Sequence, residues 1–285
     1  LSTVDLRGKF QRKQNAWDLQ VDYQFAGLYS YNTDYFDAAT GLALDTGDIG
    51  TDDARLFDLS HQQREADYVL VHRLDRLNVG YTGDSTVVRV GRQAVSWGNG
   101  LAFNPMDIFN PFDPTAVDKE YKTGDDMVYA QWLLDSGNDW QVVMVPRREV
   151  ESGKLSESAS SLAFKYHALT DNYEVDVLLA QHYDDTVLGV GLVAHLGDAI
   201  TRGDLTLAQT DTDWVASAVA SLSYSWVLAG RNWSGSAELY YNGFGLDGRR
   251  LSVSNLIEAP DLSDRIRRRE LYSLGRYYAL SLIHI

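Results

Sequence analysis

The chain has no cysteine and no long run of apolar residues, and each absence excludes a class of protein. Without cysteine, there is no disulfide framework and no thiolate metal site. No window holds the ~18 uninterrupted apolar residues that a spanning helix needs, so a membrane-spanning form of this chain must cross as strands. Basic residues are also few. The 25 Lys and Arg stand against 40 Asp and Glu, and a net charge of −15 argues against binding to nucleic acid.

What the sequence does contain is alternation at two levels. Stretches of roughly 8 to 15 residues switch between apolar and polar side chains at every position, which predicts strands with one apolar and one polar face. The connections alternate between tight turns and longer polar segments, although 183–185 and 210–212 on the long side are short. This pattern is typical of barrels with short periplasmic turns and longer outer loops. Seven Trp and 17 Tyr fit the aromatic girdles of such barrels.

We therefore predict an all-β fold, an antiparallel transmembrane β-barrel of about 13 strands that forms one domain over residues 1–285. Bacterial single-chain barrels usually close with an even number of strands, so we expect the complete protein to have 14 or more. The chain begins inside a predicted strand, and its ending, Leu280–Ile285, resembles a translated adapter sequence. We expect truncation at one or both ends.

Two hairpins have turns that fix a predicted register. A two-residue turn at Thr170–Asp171 places Lys165 opposite Asp176 and His167 opposite Glu174, which pairs opposite charges on the polar face. A second turn at Gly230–Arg231 has glycine in the first central position, as a type II′ turn requires.

One predicted strand, Asp67–Tyr81, does not keep its faces. Arg73, Asp75 and Arg76 interrupt the alternation, which predicts a β-bulge or a wide extension outside the membrane. A short extra piece at Ala54–Ser60 is assigned to a loop.

The polar faces of the predicted strands supply the lumen lining. Acidic groups lead among them, which predicts a modest preference for cations, and cross-strand pairing that balances the charges is the favoured alternative. The predicted lumen-lining residues are Asp18, Asp22, Arg89, Lys165, His167, Glu174, Asp176 and Glu238.

The most distinctive segment follows the strand that ends near Val95. Three of the five prolines fall at Pro105, Pro111 and Pro114, so this stretch is not a strand. The run GRQAVSWGNGLAFNPMDIFNPFDP, followed by Asp118–Lys122, resembles a poorly characterised family of proteobacterial outer-membrane barrels that is loosely similar to substrate-specific export and uptake porins. The specific part covers Gly91–Met127, and the resemblance implies an outer-membrane location.

Two interpretations of the 96–125 loop stay open. In the first, the loop folds into the lumen as a constriction, where charged rings would set the selectivity of a pore. In the second, which is the favoured alternative, it is an outer cap that seals the barrel and binds nothing. The candidate constriction residues are Arg92, Trp97, Asn104, Asp107, Asn110 and Asp113.

Other candidates carry weaker signals. The acidic stretch Asp45–Asp53 offers oxygen ligands for Ca²⁺ but lacks the terminal Glu of an EF-hand loop, so a solvated loop is favoured. Arg265, Arg267, Arg268 and Arg269 form either a lipopolysaccharide-binding cluster or an ordinary charged loop. His167 with Glu174 and Ser161 has the residue types of a catalytic triad, but no nucleophile elbow is present and we predict no enzyme.

The sequence as a whole predicts an outer-membrane channel that passes small polar solutes by passive diffusion. The alternatives are a structural or adhesion barrel that transports nothing and a soluble all-β carbohydrate-binding protein. We expect no cofactor and no metal. The expected partners are outer-membrane lipid, lipopolysaccharide and a small polar solute, and the pattern carries no signal for oligomeric state.

Overall fold

The computed structural model describes residues 2–29, 54–65, 67–111, 122–248, 262, 265–266, 268, 270–271 and 273–284. These residues form fourteen strands with almost no helix. In chain order they are β1 (Ser2–Gln14), β2 (Trp17–Tyr29), β3 (Ser60–Arg64), β4 (Tyr68–Thr82), β5 (Thr86–Gln93), β6 (Asp125–Leu133), β7 (Asp139–Arg148), β8 (Leu155–Leu169), β9 (Tyr173–His182), β10 (Asp185–Leu196), β11 (Ala199–Gln209), β12 (Trp214–Leu228), β13 (Arg231–Tyr241) and β14 (Tyr277–His284).

Hydrogen-bonded neighbours follow chain order from β1 to β14, while β3 lies off this path and pairs with β4. The pairs β1–β2, β2–β4 and β4–β5, and every pair from β9 to β14, are antiparallel. Packing divides the chain into two compact units. The first is Leu1–Ala94, Thr123–Ala130 and Val143–Ser161, and the second is Val95–Lys122, Gln131–Val142 and Leu162–Ile285. No described helix has the length and apolar character needed to cross a membrane.

The faces of the strands are inverted relative to those of a water-soluble sheet. On β9, Asp176 is 4% exposed while Val177 and Leu179 are 47% and 51% exposed. On β11, Asp204 is buried while its neighbour Leu205 is exposed. Buried polar and exposed apolar side chains in alternation are typical of strands that turn their outer face to lipid. This confirms the predicted fold class, which is an all-β antiparallel fold of the transmembrane-barrel type.

All thirteen predicted strands are present, and the differences lie mainly at their ends. β8 begins at Leu155 instead of Ala159, and β14 begins at Tyr277 instead of Leu271. The strand that the sequence did not predict is β3, which follows the piece that we assigned to a loop and pairs with the half of β4 before the bulge.

The predicted bulge in β4 is confirmed. Asp22 pairs with Arg76 and Tyr23 pairs with Leu74, so Asp75 is the extra residue of the bulged strand. The extra residue lets Arg73, Asp75 and Arg76 all be buried, where the Asp75 carboxylate pairs with Arg76 and lies 3.7 Å from the Arg73 Nε. A bulge that carries a local ion-pair cluster explains why this segment broke the alternation.

Both predicted hairpin turns were wrong by one position. The Thr170 N–H donates to the Tyr173 carbonyl at 2.9 Å, which puts the first turn at 171–172, and Leu228 pairs with Arg231, which puts the second at 229–230. Ala229 and Gly230 both have positive φ, as a type I′ turn requires, so the predicted type II′ turn is also wrong. Each register moves by two residues, which leaves every side chain on its predicted face.

Deleting Asp75 is expected to destabilise β4 without reversing its faces. Because Asp75 is the extra residue, its removal leaves Arg73, Leu74 and Arg76 in regular alternation, but the two buried arginines lose the carboxylate between them. Removing one partner of a buried ion pair costs about 3–5 kcal/mol. The measurement is the fraction of refolded protein that resists denaturation on an unheated SDS gel. Asp75→Asn keeps the bulge and removes only the charge, and wild-type folding of both variants would contradict the role of Asp75.

Candidate functional site

A non-strand segment lies along the polar face of the second unit, and we call residues 95–111 the docked segment. Pro105 and Pro111 cannot donate backbone hydrogen bonds, while Gly98 and Asn110 adopt positive φ. These residues stop the chain from continuing as a strand, so its backbone donors must find other partners.

The first anchor of the docked segment is the carboxylate of Glu238 on β13. The N–H groups of Leu101, Ala102 and Phe103 all donate to it, the last two at 2.9 and 3.0 Å. Glu238 is only 1% exposed. Successive backbone donors around one carboxylate form a concave anion site with charge-assisted hydrogen bonds.

The second anchor is Asn99. Its backbone N–H and side-chain Nδ2 donate to the two oxygens of Asp204 at 2.7 and 2.8 Å, and Nδ2 also lies 3.3 Å from the Asp176 Oδ2. Gly191 lies between these two acids, because β10 pairs it with Asp176 on one side and Asp204 on the other. A Cβ atom at residue 191 would come within 2.5 Å of the Asn99 Nδ2. Glycine at that position therefore leaves the room that Asn99 occupies.

The third anchor joins Trp97, Asp107 and Lys122. The Trp97 N–H donates to the Asp107 Oδ1 at 3.3 Å, and its indole Nε1 donates to the Gln141 Oε1 at 2.8 Å. Lys122 Nζ donates to the Asp107 Oδ1 and to the Val95 carbonyl, each at 2.5 Å. Burial raises the pKa of Asp107, which lies outside the strands, to about 6, and Lys122 opposes that rise.

Apolar contacts complete the docking. The Phe103 ring stacks on Tyr240 with centroids 4.7 Å apart and packs against Tyr278 at 5.0 Å. Trp97 and Phe109 meet edge to face at 5.4 Å. Met106 is fully buried, and a Cβ at Gly191 would lie 3.2 Å from its sulfur. The segment is thus held by both polar and apolar contacts along its length.

A cluster of charges on β8 and β9 supports the site from the sheet. Asp176 Oδ1 lies 3.1 Å from Lys165 Nζ and 3.0 Å from His167 Nδ1. Lys165 Nζ also lies 5.8 Å from the centre of the Trp97 ring, within the range of a cation–π contact. The charge pairing predicted for this hairpin is therefore present with one change, because His167 meets Asp176 instead of Glu174.

Three of the predicted constriction residues share the docked segment with Trp97. Asp107 is buried with its carboxylate on Lys122, and Asn104 and Asn110 are half-buried. Asp113 lies outside the described residues.

Arg92 belongs to the first unit and makes its contacts there. Its guanidinium donates to both oxygens of Asp126 at 2.9 Å and to the Phe57 carbonyl at 2.6 Å.

The predicted lumen-lining residues divide between the two units. Lys165, His167, Asp176 and Glu238 belong to the second unit and carry the contacts described above, while Glu174 is half-buried beside them on β9. Asp18, Asp22 and Arg89 belong to the first unit, where Asp22 is buried, Asp18 is half-buried and Arg89 is exposed.

Three important residues were not predicted. Asn99 and Lys122 lie within the distinctive Gly91–Met127 box but were not singled out, and Asp204 is the acidic residue on the polar face of β11. The available sequence signal was that Asp204 is an isolated acidic residue among small and hydroxyl-bearing side chains. Its partner Asn99, however, lies 105 residues away along the chain.

The other predicted clusters are placed differently. Arg265 is 8% exposed and pairs with Asp185 and Glu270, so its guanidinium faces carboxylates and is not presented to lipid phosphates. Arg267, Arg269 and the acidic stretch Asp45–Asp53 lie outside the described residues. Ser161 accepts a hydrogen bond from Arg147 in the first unit. Over the part of the chain that the structure describes, no group of three or more His, Cys, Asp or Glu could hold a metal ion.

No protein-family model and no curated protein matches the chain. Similar solved structures include OccK11 (OpdR) of Pseudomonas aeruginosa, at 9% identity and a TM-score of 0.41 over 84% of this chain and 61% of that one. The chain thus spans 61% of the length of OccK11. A loop-deletion mutant of OmpT, an outer membrane protein of Vibrio cholerae, is 11% identical, with a TM-score of 0.40 over 84% of this chain and 79% of that one. The in-vitro folded, trimeric OmpT is 9% identical, with a TM-score of 0.36 and coverage of 84% and 80%. The chain is thus loosely similar to outer-membrane proteins, as expected from the sequence.

Replacing Gly191 with leucine is expected to displace the docked segment. The new side chain would occupy the position of the Asn99 amide, so the bonds to Asp204 would be lost. The measurement is the rate of chymotrypsin cleavage after Trp97, Leu101 or Phe103 in detergent micelles, which we expect to rise at least tenfold because an undocked backbone is accessible. Gly203→Leu on the apolar face of β11 is the matched control, and equal cleavage rates would contradict the role of Gly191.

Asp107 is expected to make the stability of the docked segment depend on pH. Its pKa of about 6 in the docked state lies above the ordinary 3.8, so the docked state binds a proton that the undocked state does not. This contribution is complete below pH ~4 and is lost as the pH rises through about 6. The measurement is the urea midpoint of the wild type minus that of Asp107→Asn. This difference is expected to be larger at pH 5 than at pH 7.5. A difference that stays constant between the two pH values would contradict the assignment.

Proposed function

We propose that the protein is an outer-membrane β-barrel channel that passes small polar solutes by passive diffusion, and that the docked segment narrows its lumen. The polar faces of the strands form the water-filled side in this proposal, and the apolar faces contact lipid. One observation carries it: a polar sheet face receives a chain segment through the buried Glu238 carboxylate and three consecutive backbone donors.

The apolar face supports the membrane location. Aromatic residues cluster near the short turns, as in the Trp17–Tyr81 pair at 5.2 Å, the Trp140–Tyr166 pair at 4.5 Å and the Trp226–Trp233 pair at 6.2 Å. At the other end of β12, Trp214 is 56% exposed. The strand from Trp214 to Trp226 spans twelve steps (226 − 214), or ~40 Å, which a tilt of ~40° reduces to about 30 Å. That length matches the apolar thickness of a bilayer.

The charges of the docked segment support a weakly selective channel. Asp107 is neutralised by Lys122, and Asp176 is shared by Lys165 and His167. Glu238 and Asp204 instead accept from amide groups of the segment, which bring no full positive charge. This balance of charges supports the passage of small polar solutes with a modest preference for cations. The partners of the protein would be outer-membrane lipid and lipopolysaccharide.

The alternative from another class is a barrel that transports nothing and serves in structure or adhesion. The same observation bears on it, because a segment docked on the polar face could fill a lumen as well as narrow it. A conductance measurement separates the two functions.

We expect Glu238→Ala to raise single-channel conductance in planar bilayers, by about twofold or more, because the segment loses the acceptor of three backbone donors. Glu174→Ala removes an acidic side chain from the same face and is the matched control. Equal conductance of the wild type, of Glu238→Ala and of a variant that lacks residues 104–114 would refute the constriction. If none of these proteins forms a channel, the result would support the structural barrel instead.

A further inference from the structure

An apolar cleft lies beside the docked segment in the second unit. Its volume is about 90 Å³, and its walls come from the segment, from β9 to β13, and from residues that follow β13, among them Phe244, Arg265 and Glu270. The apolar side chains that line it include Phe103, Ile108, Val187, Ala208, Tyr240 and Phe244. Val187 and Ala208 pair across β10 and β11, and each is 6% exposed.

Polar side chains line the same cleft beside these apolar ones. Thr206 and Ser217 line it from β11 and β12, and Asn104, His182 and Asn242 line it from the segment, from β9 and from the residue after β13. Apolar walls favour the apolar part of a ligand because they remove it from water. A recess that combines apolar walls with a few polar groups is the arrangement that holds a small ligand.

The charged groups at the edge of the cleft neutralise one another. Arg265 donates to Glu270 at 2.7 Å and also pairs with Asp185, while its guanidinium lies 4.0 Å from the centre of the Phe244 ring. These contacts tie the Arg265 charge to carboxylates of the protein. A ligand with a net charge of either sign would therefore have to compete with a formed ion pair, whereas a net-neutral ligand would not.

The size of the recess limits the apolar group. An apolar cavity of ~150 Å³ admits benzene, so about 90 Å³ suits a smaller aliphatic group of roughly three or four carbons. Ala208 sets this size from the sheet, because a larger side chain at that position would extend into the cleft.

We propose that this cleft is a binding site for the aliphatic group of a small, net-neutral polar solute. Its role in transport rests on the proposed channel function, whereas binding itself does not. The docked segment then contributes one wall of a recognition site as well as a narrowing, and the solutes it favours carry a short branched or linear carbon chain.

The test is equilibrium binding to the full chain in detergent micelles, read by saturation-transfer NMR with the neutral amides acetamide, propionamide, isobutyramide and isovaleramide. We expect affinity to rise about fourfold for each added carbon until the cleft is full. Ala208→Leu fills the cleft and should abolish this dependence, and the signal it retains measures partitioning into micelles. Ser225→Leu adds the same bulk to the polar face near a short turn and should bind as the wild type does.

Equal binding by the wild type and Ala208→Leu, or no dependence on carbon number, would overturn the site. Tighter binding of isovalerate or of isopentylammonium than of isovaleramide would overturn the net-neutral class. Because binding is measured without conduction, a protein that binds the amides but forms no channel would refute the proposed function and leave this inference standing.

Discussion

The alternation of side chains along each strand is the constraint on which the rest of the structure depends. Asp176, Asp204 and Glu238 are buried on one face, and the exposed Val177, Leu205 and Leu239 lie on the other. A one-residue slip in any of these strands would exchange the two sets, so that carboxylates would leave their donors and enter an apolar surface. The docked segment, the charge cluster around Asp176 and the apolar cleft all require this register.

Docking depends on matching donors to buried acceptors. A buried carboxylate is costly unless it is hydrogen-bonded, and a loop backbone with unpaired N–H groups is costly for the same reason. Glu238 and residues 101–103 satisfy each other, as do Asp204 and Asn99. Each side removes the desolvation penalty of the other, which explains how a proline-containing segment without regular structure is held at a defined position.

Much of the fold followed from the sequence, because period-two alternation and turn residues are local signals. The thirteen main strands were predicted, and so were the faces of the side chains in the two hairpins. A bulge was one of the two explanations predicted for the broken alternation of Asp67–Tyr81. The turns at 171–172 and 229–230 were each missed by one position, because a two-residue shift in register leaves the alternation unchanged. In the second hairpin, the pairing of Leu228 with Arg231 and the positive φ values of Ala229 and Gly230 mark the observed register. The contacts of Asn99 and Leu101 span more than 100 residues, which no local pattern reports.

Gly191 has a consequence for how this site can change over time. The space above it is filled by the Asn99 amide, and the acids on either side are Asp176 and Asp204. A side chain at position 191 excludes the Asn99 amide, and replacing Asn99 removes the side-chain donor to Asp204. Substitutions at positions 99 and 191 are therefore tolerated together more readily than singly. Related sequences are expected to change the docked segment and β10 at these two positions together.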